Sequence, residues 1–511
     1  MAEGTRRRRK RGETSPPPPL RQIDYCQLRN PFTPQSAFSE DRIAAIHDTA
    51  LRVLEELGIK VLLPEARALF AQAGARLGED EMVYIGRDII AASVAQAPRS
   101  FDLNGGAPKR HLKMELGTLA FQSGAGCPNV NDRVRGRRPG TRTSMEELTK
   151  LVQHFDAIQM LSPGVEPQDV APEVRHYALT RAQLTLSDKI PFVFSRGTGQ
   201  AEDCFEMIRD FRGLTDDAFG ATPHCYTIIN TNSPRQIDIP MAQGLIDFAR
   251  AGQPSIVTPF TLMGAMAPIT PAGAMTLSHA EALAAITLTQ LARPGAPVLY
   301  GSFTSNVDMK SGAPAFGTPE QVKAGLGIGQ LARHIGLPWR NAAGSAANSA
   351  DAQAAHETEI SAWGAILSGA TVVIHAAGWL EGGLTFGYEK FISDMDMVQV
   401  FAELCTAASA TDDDIGFNAL AEVQPGGHFF GCNHTMQRYA TEFYQPLSWD
   451  WSNFGTWTER GAIETAERST GLWQNILAEH TPPATATEDR VGALDQFIER
   501  RSKAGGAPPL A

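Results

Sequence analysis

The sequence lacks closely spaced cysteines, metal-binding histidine pairs and long apolar runs. Its 511 residues include six scattered cysteines with no CxxC pair, which excludes a disulfide framework and a thiolate zinc site. No HExxH motif is present, because His356-Glu357 is not followed by a second histidine at the required spacing. We therefore expect no metal bound by the protein itself. The absence of any apolar stretch of about 18 residues predicts no membrane span and a cytoplasmic protein.

An excess of positive charge is also absent. The 45 Lys and Arg residues are outnumbered by 56 Asp and Glu residues, which gives a net charge of -11. This balance argues against nucleic acid as a partner, because phosphate binding needs clustered positive charge. The one basic run, Arg6 to Arg11, precedes a proline run and is typical of a solvated, disordered tail. A polybasic arm for nucleic acid or a membrane is the less favoured alternative.

Eight short apolar runs alternate with stretches long enough for helices. This alternation predicts an α/β fold, specifically a (β/α)8 TIM-type barrel with an α-rich N-terminal extension. A doubly wound open sheet is the alternative, but it would need a glycine-rich phosphate-binding turn after an early strand. The nearest candidate, Gly325 to Gly329, lies inside a predicted helix and indicates close helix packing instead. The predicted strands are 160–165, 191–195, 225–230, 255–260, 297–302, 339–344, 371–377 and 420–424.

The helix-capping residues predict where several helices begin and end. Ser39 is the predicted N-cap of a helix that ends at Gly58, and Thr318 that of a helix that ends at Gly336. Ser278 and Glu281 have the spacing of a capping box. The predicted divisions are a disordered tail (1–30), an α-rich extension (31–142), the barrel (143–480) and a C-terminal helix and tail (481–511).

The carboxyl ends of the predicted strands form a rim that is rich in aromatic residues and glycine and poor in lysine. Such a rim suits a quaternary ammonium group better than a phosphate or a sugar acid. Taken singly, Trp449, Trp457 and Phe386 are better explained as packing residues, whereas for the whole set the two explanations are nearly balanced. The other rim residues are Arg196, Asn230, Thr231, Asn232, Phe260, Ser302, Asn341, Gly344, His375, Trp379, Glu381, Tyr388, Gly427, His428, Phe429, His434 and Trp451.

Several segments resemble the corrinoid-dependent trimethylamine methyltransferase family. They are Asn230–Pro234, the run from Ser278 to Ser302, Gly312–Glu320 and Gly378–Phe386, and the resemblance spans roughly residues 35–480. It implies a (β/α)8 barrel that moves a methyl group from a small methylated amine to cobalamin (a corrinoid) carried by a partner corrinoid protein. Zinc-type corrinoid methyltransferases, which use a Cys/His metal site, do not fit the scattered cysteines.

One position departs from the family pattern. Founding members carry pyrrolysine, an electrophilic imine, a few residues before an Asp-x-Gln-Ala-x-His-Glu motif, found here as Asp351–Glu357. The matching position is Gly344, which cannot form an adduct with a tertiary amine. A quaternary amine needs no such activation because it leaves as a neutral tertiary amine. We therefore expect a quaternary amine substrate, with glycine betaine first and trimethylamine or another methylamine as the alternative.

The predicted site follows from the rim and the resemblance together. Gly344, His356 and Glu381 are the catalytic candidates, with Glu381 as a partner for the cation. A rim ion pair explains Glu381 almost as well, a capping role explains His356, and a core position explains His375. Candidate donors for a betaine carboxylate are Arg196, Asn341, His356 and His375. The predicted substrate-binding residues are Asn230, Asn341, His375, Trp379, Phe386, Tyr388, Phe429 and Trp451.

Two other classes of function remain open at this point. One is a non-catalytic barrel that binds a quaternary amine or a corrinoid protein. The other is a lyase that uses Glu381 and His375 as acid and base. A homo-oligomer is expected for a soluble barrel of this size.

Overall fold

The computed structural model describes residues 22–510, so the predicted basic run and the proline run after it lie outside the described residues. Within this range Leu28–Arg29, predicted as part of a disordered tail, forms a short strand. The α-helices are α1 (Glu40–Arg52), α2 (Pro64–Gln72), α3 (Arg87–Gln96), α4 (Arg142–His154), α5 (Arg175–Leu186), α6 (Thr198–Arg212), α7 (Asp216–Ala221), α8 (Ile239–Ala251), α9 (Pro271–Ala292), α10 (Pro319–Ile335), α11 (Ala352–Leu367), α12 (Tyr388–Leu404), α13 (Asp412–Ile415), α14 (Phe417–Glu422), α15 (Asn433–Arg438), α16 (Phe454–Glu459), α17 (Thr465–Glu479) and α18 (Glu488–Lys503).

The strands are short and most of them lie in one central sheet or in small sheets around it. They are β1 (Leu28–Arg29), β2 (Ile59–Val61), β3 (Arg76–Leu77), β4 (Met82–Tyr84), β5 (Ser100–Leu103), β6 (Leu112–Glu115), β7 (Thr118–Phe121), β8 (Asn129–Asn131), β9 (Arg138–Pro139), β10 (Thr227–Ile229), β11 (Gln236–Ile237), β12 (Ser255–Val257), β13 (Phe260–Met263), β14 (Val298–Gly301), β15 (Phe303–Val307), β16 (Pro314–Ala315), β17 (Trp339–Ala342), β18 (Val372–Ile374), β19 (Trp379–Leu380) and β20 (Thr385–Gly387).

The central sheet has the strand order β1-β7-β18-β17-β14-β12-β10. All of its pairs are parallel except that of β1 with β7. Strands β7, β12, β14 and β18 are buried along their whole length. Such continuous burial is expected of parallel strands covered on both faces, and it explains why the sequence shows apolar runs here and not alternation. The fold is therefore mixed α/β around a parallel sheet.

Single parallel bridges continue the pairing beyond the two ends of this sheet. Gln122 pairs with Met160, Met160 with Ile190, and Phe192 with Tyr226 at the start of β10. The predicted strands 160–165 and 191–195 are thus reduced to one- or two-residue contacts. Because no ladder longer than a single pair joins these segments in residues 22–510, closure of the sheet into a barrel stays a prediction.

The capping residues in the sequence correctly predicted the ends of two helices. Helix α1 begins after Ser39, and its continuation ends at Gly58, which has a φ of 70°. The Thr318 hydroxyl accepts a hydrogen bond from the Gln321 backbone N–H, and α10 ends at Gly336 in the left-handed conformation. A Cβ on Gly329, inside α10, would lie 2.2 Å from the Ser368 carbonyl oxygen, which confirms that this glycine serves close packing.

Three expectations about the elements are wrong. The predicted strand 420–424 overlaps the helix α14 and its end, so it supplies no strand to the sheet. The sheet instead includes β7, which pairs with β18 and lies inside the segment predicted to be an α-rich extension. That segment also carries the strands β2 to β6, so it is α/β and not mostly helical. The boundaries at 143 and 480 otherwise stay predictions.

The predicted capping box at Ser278 is also wrong. Ser278 lies in the middle of α9, whose N-cap is Thr270. The Glu281 carboxylate instead accepts hydrogen bonds from the Thr231 and Ser233 hydroxyls and from the Arg235 backbone N–H, at 2.6, 2.7 and 2.7 Å. It therefore fixes the loop after β10.

No helix among residues 22–510 is long and apolar enough to cross a membrane.

Candidate functional site

A buried aromatic cluster lies where the chain leaves β17 and β18 at their carboxyl ends. The Trp379 ring stacks on the His375 imidazole, with centroids 4.4 Å apart and an angle of 12° between the planes. Phe303 and Phe316 contact the same indole, with centroids 5.5 and 5.1 Å away. Phe260 extends the cluster through Phe303, 5.0 Å away. The structure thus brings together the predicted residues His375 and Trp379 with Phe260, a predicted rim residue.

A buried arginine lies against this cluster. The Arg340 guanidinium carbon is 5.2 Å from the Phe303 ring centroid, and its Nη1 donates a 2.7 Å hydrogen bond to the Ser302 carbonyl. Arg340 is 1% exposed and has no carboxylate partner in the described part of the chain. Burial lowers the pKa of this guanidinium to about 9. Since an unpaired buried cation is costly, Arg340 is suited to bind an anion.

Several polar atoms of this cluster have no hydrogen-bond partner within residues 22–510. They are Arg340 Nε, His375 Nδ1 and Trp379 Nε1. Arg340 and Trp379 offer N–H donors there, and buried donors of this kind are normally paired. Burial and the nearby Arg340 charge hold the pKa of His375 well below its usual value, so its imidazole is neutral. The site therefore offers donors to an acceptor group beside aromatic faces.

Gly344 lies directly against the Trp379 ring. A Cβ on Gly344 would lie 2.3 Å from Cε3 and 2.7 Å from Cζ3 of the indole, and the residue has a φ of 133°. Both the close approach and the backbone conformation require glycine. In this structure Trp379 thus occupies the space into which a side chain at position 344 would point.

The loop after Gly344 is held by Glu357. Its carboxylate accepts hydrogen bonds from the Ser345 hydroxyl and the Ala346 backbone N–H at 2.7 and 2.8 Å, and from the Gln353 amide at 2.8 Å. The neighbouring His356, predicted as catalytic, is exposed near the start of α11. Within the Asp351–Glu357 motif, Glu357 therefore stabilises the loop after Gly344 through these hydrogen bonds.

Glu381 is paired with Arg137. Arg137 Nε and Nη2 both donate to the carboxylate at 2.9 Å. Burial works to raise the pKa of Glu381, but the hydrogen bonds and the positive charge of Arg137 outweigh it and lower the pKa overall. Glu381 is thus ionised and already neutralised, as expected for a rim ion pair.

Two more predicted aromatics are packing residues of their own clusters. The Phe386 ring lies against Gly378 and Phe391. Tyr388 lies 5.1 Å from the Trp473 ring and 5.1 Å from the Arg135 guanidinium carbon. Neither ring is among those that contact Trp379.

No hydrogen bond or ring contact within residues 22–510 joins five other predicted residues to the cluster: Asn230, Asn341, Phe429, Trp451 and Arg196. The Asn341 amide faces Ser368 and the packed helix α10, and Asn230 is exposed. Phe429 is 43% and Trp451 is 63% exposed, because the segment that carries them is not part of the sheet. Arg196, another candidate carboxylate donor, lies beside Leu510 near the C-terminus.

The sequence reasoning missed Arg340, Phe303 and Phe316. A charged residue directly after Trp339 inside an apolar strand was the available indication for Arg340. Phe303 and Phe316 belong to β15 and the turn after β16, an antiparallel pair that no apolar run predicted. No group of three His, Cys, Asp or Glu residues in the described chain is arranged to hold a metal ion.

Comparisons with known proteins identify the family of this chain. Residues 3–506 match the family model described as trimethylamine methyltransferase (MTTB). The chain is 32% identical over 471 residues to a glycine betaine methyltransferase of Desulfitobacterium hafniense strain Y51, covering 92% of this chain and 97% of the relative. It is 29% identical over 452 residues to the trimethylamine methyltransferase MttB of D. hafniense strain DSM 10664 / DCB-2, covering 88% and 90% of the two chains.

A solved structure shares the fold. A crystal structure of a hydroxylamine complex of MtmB superposes with a TM-score of 0.50 at 9% identity, over 92% of this chain and 89% of the other. The sequence relatives define the class: this protein is a methyltransferase. It belongs to the trimethylamine methyltransferase (MTTB) family.

Proposed function

We propose that this enzyme transfers a methyl group from a quaternary amine, glycine betaine or a related betaine, to cob(I)alamin on a partner corrinoid protein. The relative at 32% identity is a glycine betaine methyltransferase, which supports the substrate class. The observation that carries the proposal is the contact of Gly344 with the Trp379 ring. This contact leaves no room at position 344 for an amine-activating side chain.

The chemistry of a quaternary amine fits a site without such a side chain. The cobalt(I) electron pair attacks a methyl carbon, the C–N bond breaks, and its electrons stay on nitrogen as the lone pair of a neutral tertiary amine. No proton is transferred, so neither Glu381 nor His375 is needed as an acid or a base. The protein's task is to hold the cation and to orient one methyl group towards the acceptor, which is catalysis by positioning.

The aromatic cluster and Arg340 supply complementary contacts for a betaine. The faces of Trp379 and Phe303 attract a quaternary ammonium, with each ring contributing about 0.5–2 kcal/mol. Arg340, which has no anionic partner among residues 22–510, would pair with the betaine carboxylate. A charge-assisted hydrogen bond of this type contributes roughly 1.5–3 kcal/mol. Selection for a betaine over a simple quaternary amine thus rests on Arg340.

The position of this site follows from the barrel that we propose for the sheet. In the central sheet, neighbouring strands follow the order of the chain from β10 through β12, β14 and β17 to β18. Strand β7, which precedes all five in the chain, pairs with β18. The single bridges at Met160, Ile190 and Phe192 lead from β7 back to the start of β10. This order supports a closed (β/α)8 ring, in which sites lie at the carboxyl ends of the strands.

The experiment is a substrate panel with cob(I)alamin, in which the loss of its absorbance is followed. Glycine betaine, proline betaine, carnitine, choline and trimethylamine are compared at equal concentration. We expect turnover of at least one betaine and none of trimethylamine. Turnover of trimethylamine without any betaine would overturn the argument from Gly344, and turnover of none would favour a barrel that binds without catalysis.

A further inference from the structure

A cavity lies at the opposite end of the sheet from the aromatic cluster. Its volume is about 230 Å³, which is room for roughly eight water-sized groups at about 30 Å³ each. Ser187 and His224 in its wall stand three residues before Ile190 and Thr227, at the amino ends of the paired segments, whereas the aromatic cluster lies at carboxyl ends. We call it the basic cavity.

The wall of the basic cavity carries basic side chains and no acidic ones. It includes Arg212, Arg490, His111 and His224, and no Asp or Glu of residues 22–510 is among its lining residues. Burial and the charge of Arg212 lower the pKa of His111, and burial, Arg212 and His111 lower that of His224 to about 4. Asp102 acts on His111 in the opposite sense, but it does not line the cavity. A positive potential that no lining acid balances favours an anion.

Arg212 is held by neutral acceptors alone. Its Nη1 donates to the carbonyl oxygens of Asn104 and His224, at 2.9 and 3.1 Å. The same nitrogen lies 3.3 Å from His224 Nδ1, which is the acceptor because a guanidinium only donates. No carboxylate of the described chain acts on the pKa of Arg212, which burial lowers to about 10. The charge of this guanidinium is therefore uncompensated.

Two buried polar atoms of the lining residues have no hydrogen-bond partner within residues 22–510. They are Arg212 Nε and Thr485 Oγ1. Buried polar atoms are normally paired, and an oxyanion accepts hydrogen bonds both from an N–H group and from a hydroxyl. Leu184, Phe211 and Leu214 add apolar area to the same wall. The lining thus suits a ligand with an anionic end and a short apolar part.

We propose that the basic cavity binds the oxyanion of a small organic molecule, a carboxylate or a phosphate ester with a short apolar chain. This proposal goes beyond methyl transfer, because the cavity and the aromatic cluster lie at opposite ends of the strands. The lining comes from the segment 104–111, from the end of α6 with His224, and from the segment 485–490, where α18 begins. A bound anion therefore links α18 to α6 and stabilises their packing.

The test uses the full-length protein and isothermal titration calorimetry with butyl phosphate, butyrate and butanol at constant ionic strength. Arg212→Gln and Arg490→Gln each remove one charge from the lining. Arg500→Gln is the matched control, because Arg500 also belongs to α18, is 70% exposed and does not line the cavity. Hydrogen exchange with and without the bound probe locates the site.

We expect butyl phosphate or butyrate to bind the wild type and the control equally well, and about tenfold or more tighter than butanol. The tighter of the two anions identifies the oxyanion. Each lining variant should raise its Kd by about tenfold or more, because a hydrogen bond to a charged group is lost. The bound anion should also slow exchange in 104–111 and 485–490.

Three results would overturn the proposal. They are binding of neither anion, binding that butanol matches, and a Kd that stays the same in both lining variants. Arg212→Gln removes the hydrogen bonds that join Asn104 to His224, so this variant can fail to fold. In that case Arg490→Gln decides, because Arg490 is exposed and donates to the Thr485 carbonyl at 3.3 Å. An unchanged Kd in Arg490→Gln then contradicts the proposal.

Discussion

Substituting Gly344 by alanine is the sharpest perturbation of the site, because a single methyl group would meet the Trp379 ring. The new Cβ would lie 2.3 Å from the indole carbon Cε3, and the backbone φ of 133° is strained for any L side chain. The strain costs about 1–3 kcal/mol and the overpacking about as much again, so Gly344→Ala should lower the free energy of unfolding by roughly 2–6 kcal/mol. Displacement of the Trp379 ring should also raise the KM for betaine by about tenfold or more.

The assay is urea unfolding followed by circular dichroism, together with steady-state kinetics. Gly117→Ala is the control for backbone strain alone, since Gly117 has a φ of 92° and a Cβ added there would meet no atom within 4 Å beyond its chain neighbours. In a double-mutant cycle, Trp379→Leu should relieve about 1–3 kcal/mol of the cost of Gly344→Ala. A Gly344→Ala enzyme with the stability and KM of the wild type would refute the claim that Trp379 fills this space.

Four further results are expected. Trp379→Ala should raise the KM for glycine betaine at least tenfold, whereas Glu381→Gln should change it less than threefold because Arg137 already neutralises that carboxylate. Arg340→Met should raise the KM for glycine betaine by roughly 10- to 100-fold and leave choline unaffected, in steady-state assays. In the wild type, the ratio of kcat/KM for betaine to that for choline should fall at alkaline pH, because burial lowers the pKa of Arg340 from its ordinary value. Burial holds the pKa of His279 in the folded protein below its unfolded value. The free energy of unfolding therefore has its full value above about pH 6.5 and falls by about 1.4 kcal/mol for each pH unit below that. The urea midpoint should fall less steeply with decreasing pH in His279→Gln than in the wild type.

The sequence predicted features that depend on local chemistry. Thr318 and Gly336 mark helix ends through a capping hydrogen bond and a left-handed backbone conformation, and Ser39 is the N-cap of α1 without a side-chain capping hydrogen bond. The Ser278–Glu281 pattern looked equally local, but a longer helix encloses it. Its glutamate serves a loop about 50 residues earlier in the chain. Spacing alone does not distinguish these two uses of a carboxylate.

The sequence predicted site residues only where they closely follow the carboxyl end of a predicted strand. His375 and Trp379 follow β18 directly, so the rim argument reached them. Arg340 lies inside β17, and its burial depends on neighbouring strands that no local pattern specifies. The sequence predicts Phe429 and Trp451 at the rim because it predicts 420–424 as the last strand. Once that strand is replaced by β7, their link to the site is lost.

The central claim is that one methyl group moves from a betaine to cobalt without an acid, a base or an adduct at position 344. The most direct measurement is a single turnover with glycine betaine and excess enzyme, in which methylcobalamin and dimethylglycine are quantified together across pH 6–8. We expect one dimethylglycine for each methylcobalamin formed, at a rate that does not change with pH in this range. Methylcobalamin formed without dimethylglycine, or a rate that follows the titration of a single group, would contradict it.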